Sequence, residues 1–276
     1  MCSVAMLAIA SVSALAQLPD LANFGNLLSF GGGAAATDFA ALSKLFGEHK
    51  AFTAKLDVKI YDANQKEKTS VPMDFARLDD KMRMELETEQ LVNQAMPGGS
   101  GALLKQLNMD RIIITIRPDQ SARYVTFPGI QASLKNTLTK EEKADFEKQA
   151  KLESTDLGKE TLDGRACVKK KIVATNDKGK TTEYTVWQAT DLKDFPVQVS
   201  VKEKNDTVIM RYKDVKLAKP DAKHFDIPAD CKEYTDTKEM MQAVMMKLMN
   251  DAAAAAATPE PPTSLPAPEK PAKADK

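Results

Sequence analysis

Hydrophobic and polar residues alternate over long stretches of this chain, which is the pattern of half-buried β-strands. In the segment 51–62, apolar residues occupy every second position, and mainly charged or hydroxyl-bearing residues lie between them. The segments 70–78, 81–88 and 122–127 follow a similar pattern, and the segment 111–117 is almost continuously apolar. The pattern predicts an antiparallel sheet with one buried face and one solvated face.

The stretch 157–201 predicts three or four further strands together with the turns that join them. Asp163-Gly164 is a tight-turn signal, and the stretch 176–179 is a second one because it ends in Gly179. Phe195-Pro196 then opens a strand with valine at every second position. One more strand is expected over 207–216, and the segment 225–228 closes the predicted domain.

Three helical segments are expected beside these strands. Thr37 or Asp38 is a suitable N-cap for a short helix that runs to about Gly47. Thr139, with glutamate three residues later, forms a capping box for a charged helix that extends to residue 154. The long connection 89–110 reads as two short helices with a flexible glycine-rich joint at 98–101.

Charge and motifs narrow the class of function. The net charge is +0 with 28% charged residues, and both signs are interspersed, so no long-range field favours nucleic acid or an anionic membrane. His49 and His224 are the two histidines, and neither lies in a catalytic triad or a metal-ligand spacing. We therefore expect a protein that is not an enzyme and that holds no cofactor and no metal.

The first sixteen residues have the pattern of an export signal. They carry no charge, are mostly apolar and end in Ala14-Leu15-Ala16, a signal-peptidase pattern that predicts a mature start at Gln17. The run is too short to span a membrane, so no transmembrane segment is expected after cleavage. No lysine or arginine precedes Lys44, so we expect the natural start codon to lie upstream. An ordinary buried helix is the alternative to this periplasmic or secreted location.

Composition divides the chain into five expected parts. A flexible N-terminal segment, 17–36, follows the signal peptide, 1–16, and precedes a single domain over 37–235. A Met-rich helix over 236–250 leads into an Ala/Pro-rich tail, 251–276, which is expected to be disordered. The helix suits packing on an irregular surface, an adaptable lid or partner surface, or, least well, soft-metal binding by thioethers.

Cys167 and Cys231 remain after signal cleavage, as an even pair in an oxidising compartment. A disulfide between them would tie the end of the domain to its central sheet. The alternative is two buried free thiols, because cysteine also behaves as a small apolar residue.

Several short motifs carry a resemblance to a known family. They are Gly158-Lys159-Glu160, Asp163-Gly164, Cys167, Trp187 and Phe195-Pro196. In this order they resemble the C-terminal half of LolA-like lipoprotein-carrier domains, and are most similar to a bacterial branch of unknown function. The resemblance covers roughly residues 37 to 235. It implies a mainly β (α+β) fold, in which a strongly curved antiparallel sheet forms an incomplete barrel and short helices cover its concave side. Carriers of this family hold acyl chains there.

The resemblance and the 13 methionines together favour an open cavity on the concave face. The leading hypothesis is a non-catalytic envelope protein that binds a lipid or acyl chain there. The residues expected to line this cavity are Phe52, Leu56, Val58, Ile60, Met82, Met84, Ile112, Ile114 and Trp187. The alternative is a filled core, in which case the protein is an interaction module that binds an envelope partner through the Met-rich helix or the tail.

Overall fold

The computed structural model of the chain describes residues 39–88, 104–105, 107–147, 151–175, 179 and 181–257. Strands account for 57% of the structure, which makes the fold mainly β, and they form one curved sheet that does not close into a barrel. The strands are β1 (Ala51–Tyr61), β2 (Glu67–Leu78), β3 (Lys81–Glu87), β4 (Arg111–Arg117), β5 (Ala122–Phe127), β6 (Ala132–Thr137), β7 (Lys151–Leu162), β8 (Arg165–Thr175), β9 (Thr181–Ala189), β10 (Phe195–Glu203), β11 (Asp206–Lys216) and β12 (Lys232–Tyr234). The α-helices are α1 (Phe39–Leu45), α2 (Lys140–Glu147) and α3 (Thr237–Ala257). The predicted fold class is confirmed.

The sheet consists of two meanders joined side by side. Its strand order is β12-β6-β5-β4-β3-β2-β1-β11-β10-β9-β8-β7. Strand β1 of the first meander pairs with β11 of the second, and every neighbouring pair is antiparallel except β12 with β6. Asp163 and Gly164, both with positive φ, join β7 to β8, as the tight-turn signal predicted.

The two faces of the sheet differ in chemistry. One face, called the inner face here, carries apolar side chains in continuous cross-strand rows. One such row runs Val186, Val199, Met210, Val58, Val71 across five strands. The other face, called the outer face, carries ion pairs: Lys55 with Asp74 at 2.5 Å and Lys213 with Asp57 at 2.6 Å.

Four irregularities in strand pairing, including one in β1–β2 between Ile60 and Tyr61, help to curve the sheet, because a bulge bends its strand and increases the twist. The β1–β11 register shifts between Thr53 and Lys55, and the β7–β8 register shifts between Asp156 and Gly158. The β9–β10 register shifts between Pro196 and Gln198.

Several predicted elements are confirmed and others need correction. The bounds of β4 and β5 are those predicted, and the capping box of α2 forms through Thr139 and Glu142. The charged helix is shorter than predicted, because α2 ends at Glu147 and residues from Lys151 onward belong to β7. Strands β6 and β12 were not predicted.

Several sequence-based expectations lie outside the described residues. These are the export signal 1–16, the segment 17–36, most of the connection 89–103, the turn residues 176–178 and the end of the tail, 258–276.

The chain divides into two compact units, one ending at Met240 and the other beginning at Met241. The predicted Met-rich helix is present as α3, which continues through the alanine run to Ala257. In the second unit, the side chains of Met246 and Met249 are exposed.

Candidate ligand site under helix α1

A short helical segment lies over the inner face. We call residues 39–46, which comprise α1 and the following Phe46, the cover. The ring of Phe46 lies 4.9 Å from that of Phe52, 5.6 Å from that of Phe195 and 5.3 Å from that of Tyr212, measured between ring centres. Burial of this aromatic cluster attaches the cover to three neighbouring strands, β1, β10 and β11.

Two side-chain hydrogen bonds supplement the aromatic contact. A guanidinium N–H of Arg77, on β2, donates to the carbonyl of Ser43 over 2.8 Å. The ammonium of Lys44 donates to the carbonyl of Phe146, on α2, over 2.7 Å. Both acceptors are neutral backbone groups, so the cover is held by apolar packing and two hydrogen bonds to carbonyls.

A small apolar cavity of about 20 Å³ lies between the cover and the sheet. Its lining residues are Leu42, Phe46, Leu56, Val58, Met73, Phe75, Met82, Met84, Met210 and Tyr212. Four of the ten are methionines on the sheet side, and methionine side chains adapt readily to irregular shapes. The volume is close to that of one water-sized probe, so the site is nearly filled while the cover is in place.

Arg77 is the charged residue at one end of this apolar region. It occupies an inner-face position on β2, two residues beyond Phe75, and pairs across the sheet with Phe52 and Met82. Its residual exposure is 4%, and its guanidinium carbon lies 5.4 Å from the centre of the Phe46 ring. Its Nε–H donates to the carbonyl of Asp79 over 2.8 Å. Burial lowers the pKa of Arg77, but an arginine remains protonated at physiological pH.

Tyr212 contributes the phenol at the cavity wall. Complete burial raises the pKa of its hydroxyl far above the usual range, although the positive charge of Arg77 acts in the opposite direction. The phenol is therefore neutral at physiological pH. The cavity wall itself presents methyl, methylene, thioether and aromatic groups, which suit an apolar ligand and lack a nucleophile or general base.

Eight of the nine residues predicted to line the site share the inner face. Leu56, Val58, Met82 and Met84 line the cavity itself. Phe52 contacts Phe46 beside it. The remaining three belong to the same face by register: Ile114 pairs with Met84, Ile112 with Leu86, and Ile60 with Val208.

Trp187 lies on the opposite face, which corrects the sequence-based expectation. Its register partners are Gln198 and Lys169, whereas the adjacent Val186 pairs with Val199 on the inner face. The indole N–H donates to Glu160 over 2.9 Å, and the Lys169 ammonium lies 4.9 Å from the ring centre. Two adjacent apolar residues in a strand must point to opposite faces, and in this pair Val186 takes the inner one.

The expected disulfide is not formed, since Cys167 and Cys231 are both free. Cys167 lies on β8, beside one edge of the sheet, and Cys231 immediately precedes β12, the strand at the other edge. A bridge needs α-carbons within about 7 Å, and nine strands separate these two positions in the sheet order.

The outer face carries a larger depression of about 700 Å³ with a different chemistry. Its charged lining residues are Lys55, Asp74, Arg83, Glu85, Asp214, Lys216 and His224. Lys55 is paired with Asp74 and Arg83 with Glu85, and burial lowers the pKa of His224. This cleft is polar and its charges compensate one another, so it does not suit an acyl chain.

Within the described ranges, no group of three or more His, Cys, Asp or Glu side chains is placed to hold a metal ion. The helices of the same part of the chain include none that combines the length and the apolar character needed to cross a membrane.

Sequence comparisons give no match, since no family model and no curated protein resembles the chain. The search of solved structures gives matches of low sequence identity, with TM-scores below 0.5. A LolA superfamily protein from Nitrosomonas europaea is 9% identical, covers 70% of this chain and 97% of its own, and has a TM-score of 0.34. LprF from Mycobacterium bovis is 11% identical, with coverage of 71% and 97% and a TM-score of 0.36.

A third match is the complex of MucA and MucB from Pseudomonas aeruginosa, at 12% identity, with coverage of 72% of this chain and 64% of the other and a TM-score of 0.35. At such identities and TM-scores these likenesses carry no argument about this chain. The ligands and partners of the matched LolA-like proteins carry no weight for this chain.

Sequence reasoning missed part of the site. The inner-face residues Met73, Phe75 and Met210 lie in strands whose alternation could have placed them. Arg77 also had a signal, because it continues the alternating series Val71, Met73, Phe75 and therefore falls on the apolar face. The position of Phe46, in the cover and against that face, depends on tertiary packing, which a local sequence pattern does not encode.

Proposed function

We propose that this protein is a non-catalytic binding protein of the cell envelope that holds a hydrophobic ligand, a lipid or an acyl chain, between the cover and the inner face. The observation that carries this proposal is the cavity wall, where four methionines from three strands face one short helical cover. Such a wall can change shape, because an unbranched methionine side chain has three rotatable bonds and fills irregular gaps. The proposed ligand-binding residues are those on the inner face; Trp187 is not among them.

Binding requires displacement of the cover, because about 20 Å³ does not accommodate an acyl chain. Displacing Phe46 exposes the apolar rows of the inner face, and an incoming chain buries them again. Each buried methylene stabilises the complex by about 0.8 kcal/mol, so burial of a long chain offsets the loss of the aromatic contacts of Phe46 and of the hydrogen bonds made by the cover. When no ligand is bound, the cover therefore fills the site and keeps the apolar inner face out of water.

Location in the envelope is the second part of the proposal. It is supported by the uncharged apolar run and the Ala14-Leu15-Ala16 pattern of the first sixteen residues. A protein that carries acyl chains between membranes needs an aqueous compartment in which to do so.

The sole tryptophan gives a direct test with a built-in control. The native protein has its indole on the outer face, at Trp187. The double variant Phe75→Trp/Trp187→Phe places the indole in the cavity wall on β2, a strand that stays in place when the cover is displaced. We expect a phospholipid with brominated acyl chains to quench the fluorescence of the double variant and to leave the native protein almost unchanged, because bromine quenches indoles at short range. Equal quenching in both proteins, or quenching in neither, would contradict the proposal.

A second function is favoured by a different observation. The cavity is nearly filled, and Met246 and Met249 are exposed on α3. In this alternative the half-barrel is a solid scaffold, and an envelope protein binds the Met-rich helix or the tail. Two results together would favour the scaffold. The native protein would not bind the brominated lipid, and its interaction with a partner would be lost when Met246 and Met249 are both replaced by serine.

A further inference from the structure

The inner face has a charged residue at one end and a row of apolar residues, called the track here, leading away from it. This arrangement is complementary to an amphiphilic ligand, which has a polar head and an apolar tail. Along β2 the inner-face positions are Arg77, Phe75, Met73 and Val71, with exposures of 4%, 4%, 4% and 6%. Six residues of strand span about 20 Å, a length comparable with that of a long fatty-acid chain. Arg77 lies at one end of this track, and the cavity beneath the cover lies along it.

Arg77 is a buried cation that has no anionic partner among the described residues. Its described hydrogen bonds use Nε and one Nη and end on the carbonyls of Asp79 and Ser43. No described residue places a carboxylate oxygen within ion-pair distance of this guanidinium. Asp79 and Asp80 act on it from farther away. A buried charge that lacks a counter-ion is costly, and the third guanidinium nitrogen is free of described hydrogen bonds.

The bond from Arg77 to Ser43 is the one that changes when the cover moves. Ser43 belongs to the cover, so displacement of the cover removes this acceptor from the guanidinium. A carboxylate can replace it with two oxygens in the plane of the guanidinium fork, and such charge-assisted pairs are stronger than a bond to a neutral carbonyl. The ligand head would thus take the place that the cover leaves.

We infer that the ligand is an acyl chain that ends in an anionic group, a fatty-acid carboxylate in the simplest case, with its head on Arg77 and its tail along the Phe75–Met73–Val71 track. The inference rests on the proposed function, since it names the ligand class of the same site. Neutral lipids with the same chain bind more weakly because they leave the Arg77 charge uncompensated.

The test compares two ligands with the same chain, oleate and monoolein, at a pH at which oleate is ionised. Binding is measured by displacement of a fluorescent fatty acid from the full chain. We expect oleate to bind roughly tenfold to a hundredfold more tightly than monoolein, as one added charge-assisted pair implies. Equal affinities would overturn the inference while leaving the proposed function intact. Binding of neither ligand would overturn both.

Variants locate the effect on the guanidinium. Arg77→Met should make the affinities for oleate and monoolein equal, with monoolein bound more tightly than by the native protein because no uncompensated charge remains. Arg77→Lys should retain part of the preference because the charge remains. The matched control is Arg83→Met, since Arg83 is also a buried arginine but pairs with Ala76 and points to the outer face. Circular dichroism checks that each variant folds. A preference that survives in Arg77→Met, or that is lost in Arg83→Met, would overturn the assignment.

Discussion

Gly129 lies so close to the backbone of Asn108 that a side chain has no room. A methyl group at this position would be 2.2 Å from the Asn108 carbonyl oxygen and 3.1 Å from its carbonyl carbon. Backbone atoms cannot rotate away, so we expect Gly129→Ala to destabilise the fold by about 1–3 kcal/mol, the usual cost of overpacking. Urea unfolding measures this cost, and amide shifts of Asn108 and Met109 should report the displaced segment.

The control at this scale is Gly164→Ala, where a methyl group meets no atom within 4 Å but φ is +75°. This substitution should lower the free energy of unfolding only by the strain of a left-handed backbone conformation. It should leave the amide chemical shifts of residues 108 and 109 unchanged. Stability of Gly129→Ala equal to that of the native protein would contradict the close approach.

The two cysteines give a second residue-scale prediction. Burial raises the pKa of both thiols, and the charge of Asp230 adds to the effect at Cys231. Since the thiolate is the reactive form, both should alkylate slowly in the native protein, and Cys167, which is 2% exposed, more slowly than Cys231. Iodoacetamide labelling without reductant, followed by peptide mapping, measures the two rates. A Cys167–Cys231 linked peptide in the exported protein would contradict the free thiols and restore the disulfide expected from the sequence.

At the scale of elements, the cover is the part whose loss should expose the site. Phe46→Ala removes a ring that is 3% exposed and should cost about 3–5 kcal/mol, as for other buried phenylalanines. Because the lost contact is the one that holds α1 on the inner face, we also expect stronger binding of a hydrophobic dye at a denaturant concentration at which the sheet is still folded.

Phe225→Ala is the matched control for the cover. Phe225 is fully buried but packs against Ala76 and Leu78, on the outer face. It should lower stability by a similar amount without increasing dye binding to the native state. Similar dye binding by both variants would mean that general loosening, and not release of the cover, exposes the apolar surface.

A strand could be predicted from the sequence when its residues are strongly apolar on at least one face. The alternation of β1, β2 and β3 located these strands to within a few residues, and the almost continuous apolar run of β4, which is buried on both faces, located that strand. Strand β7 is exposed on both faces over almost its whole length, so its sequence has no apolar stripe, and the start of it was assigned to a helix. Strand β12 has three residues and pairs in parallel with β6, which only the tertiary structure determines. The apolar face of the site could therefore be predicted, whereas the cover, the Arg77 contacts and the face of Trp187 could not.

At the scale of the whole molecule, the two meanders meet at the β1–β11 pair, and the candidate site lies across this seam. Leu56 and Val58 on β1 face Tyr212 and Met210 on β11, and all four line the cavity. Both meanders are thus needed to form the site, although one alone carries Arg77. The complete set of inner-face residues, the cover and Arg77 precede Met241, within the first compact unit.

This arrangement separates the two candidate functions by truncation. A protein that ends at Met240 should remain folded and, in the Phe75→Trp/Trp187→Phe background, should keep its quenching by brominated lipid, because every group of the proposed site is still present. Deletion of residues 258–276 alone is the control for removal of the tail. If an envelope partner binds the Met-rich helix, the shorter protein loses the partner and keeps its fold. Loss of quenching in a folded protein that ends at Met240 would show that residues beyond Met240 complete the ligand site, and the inner face with its cover would then be insufficient to bind an acyl chain.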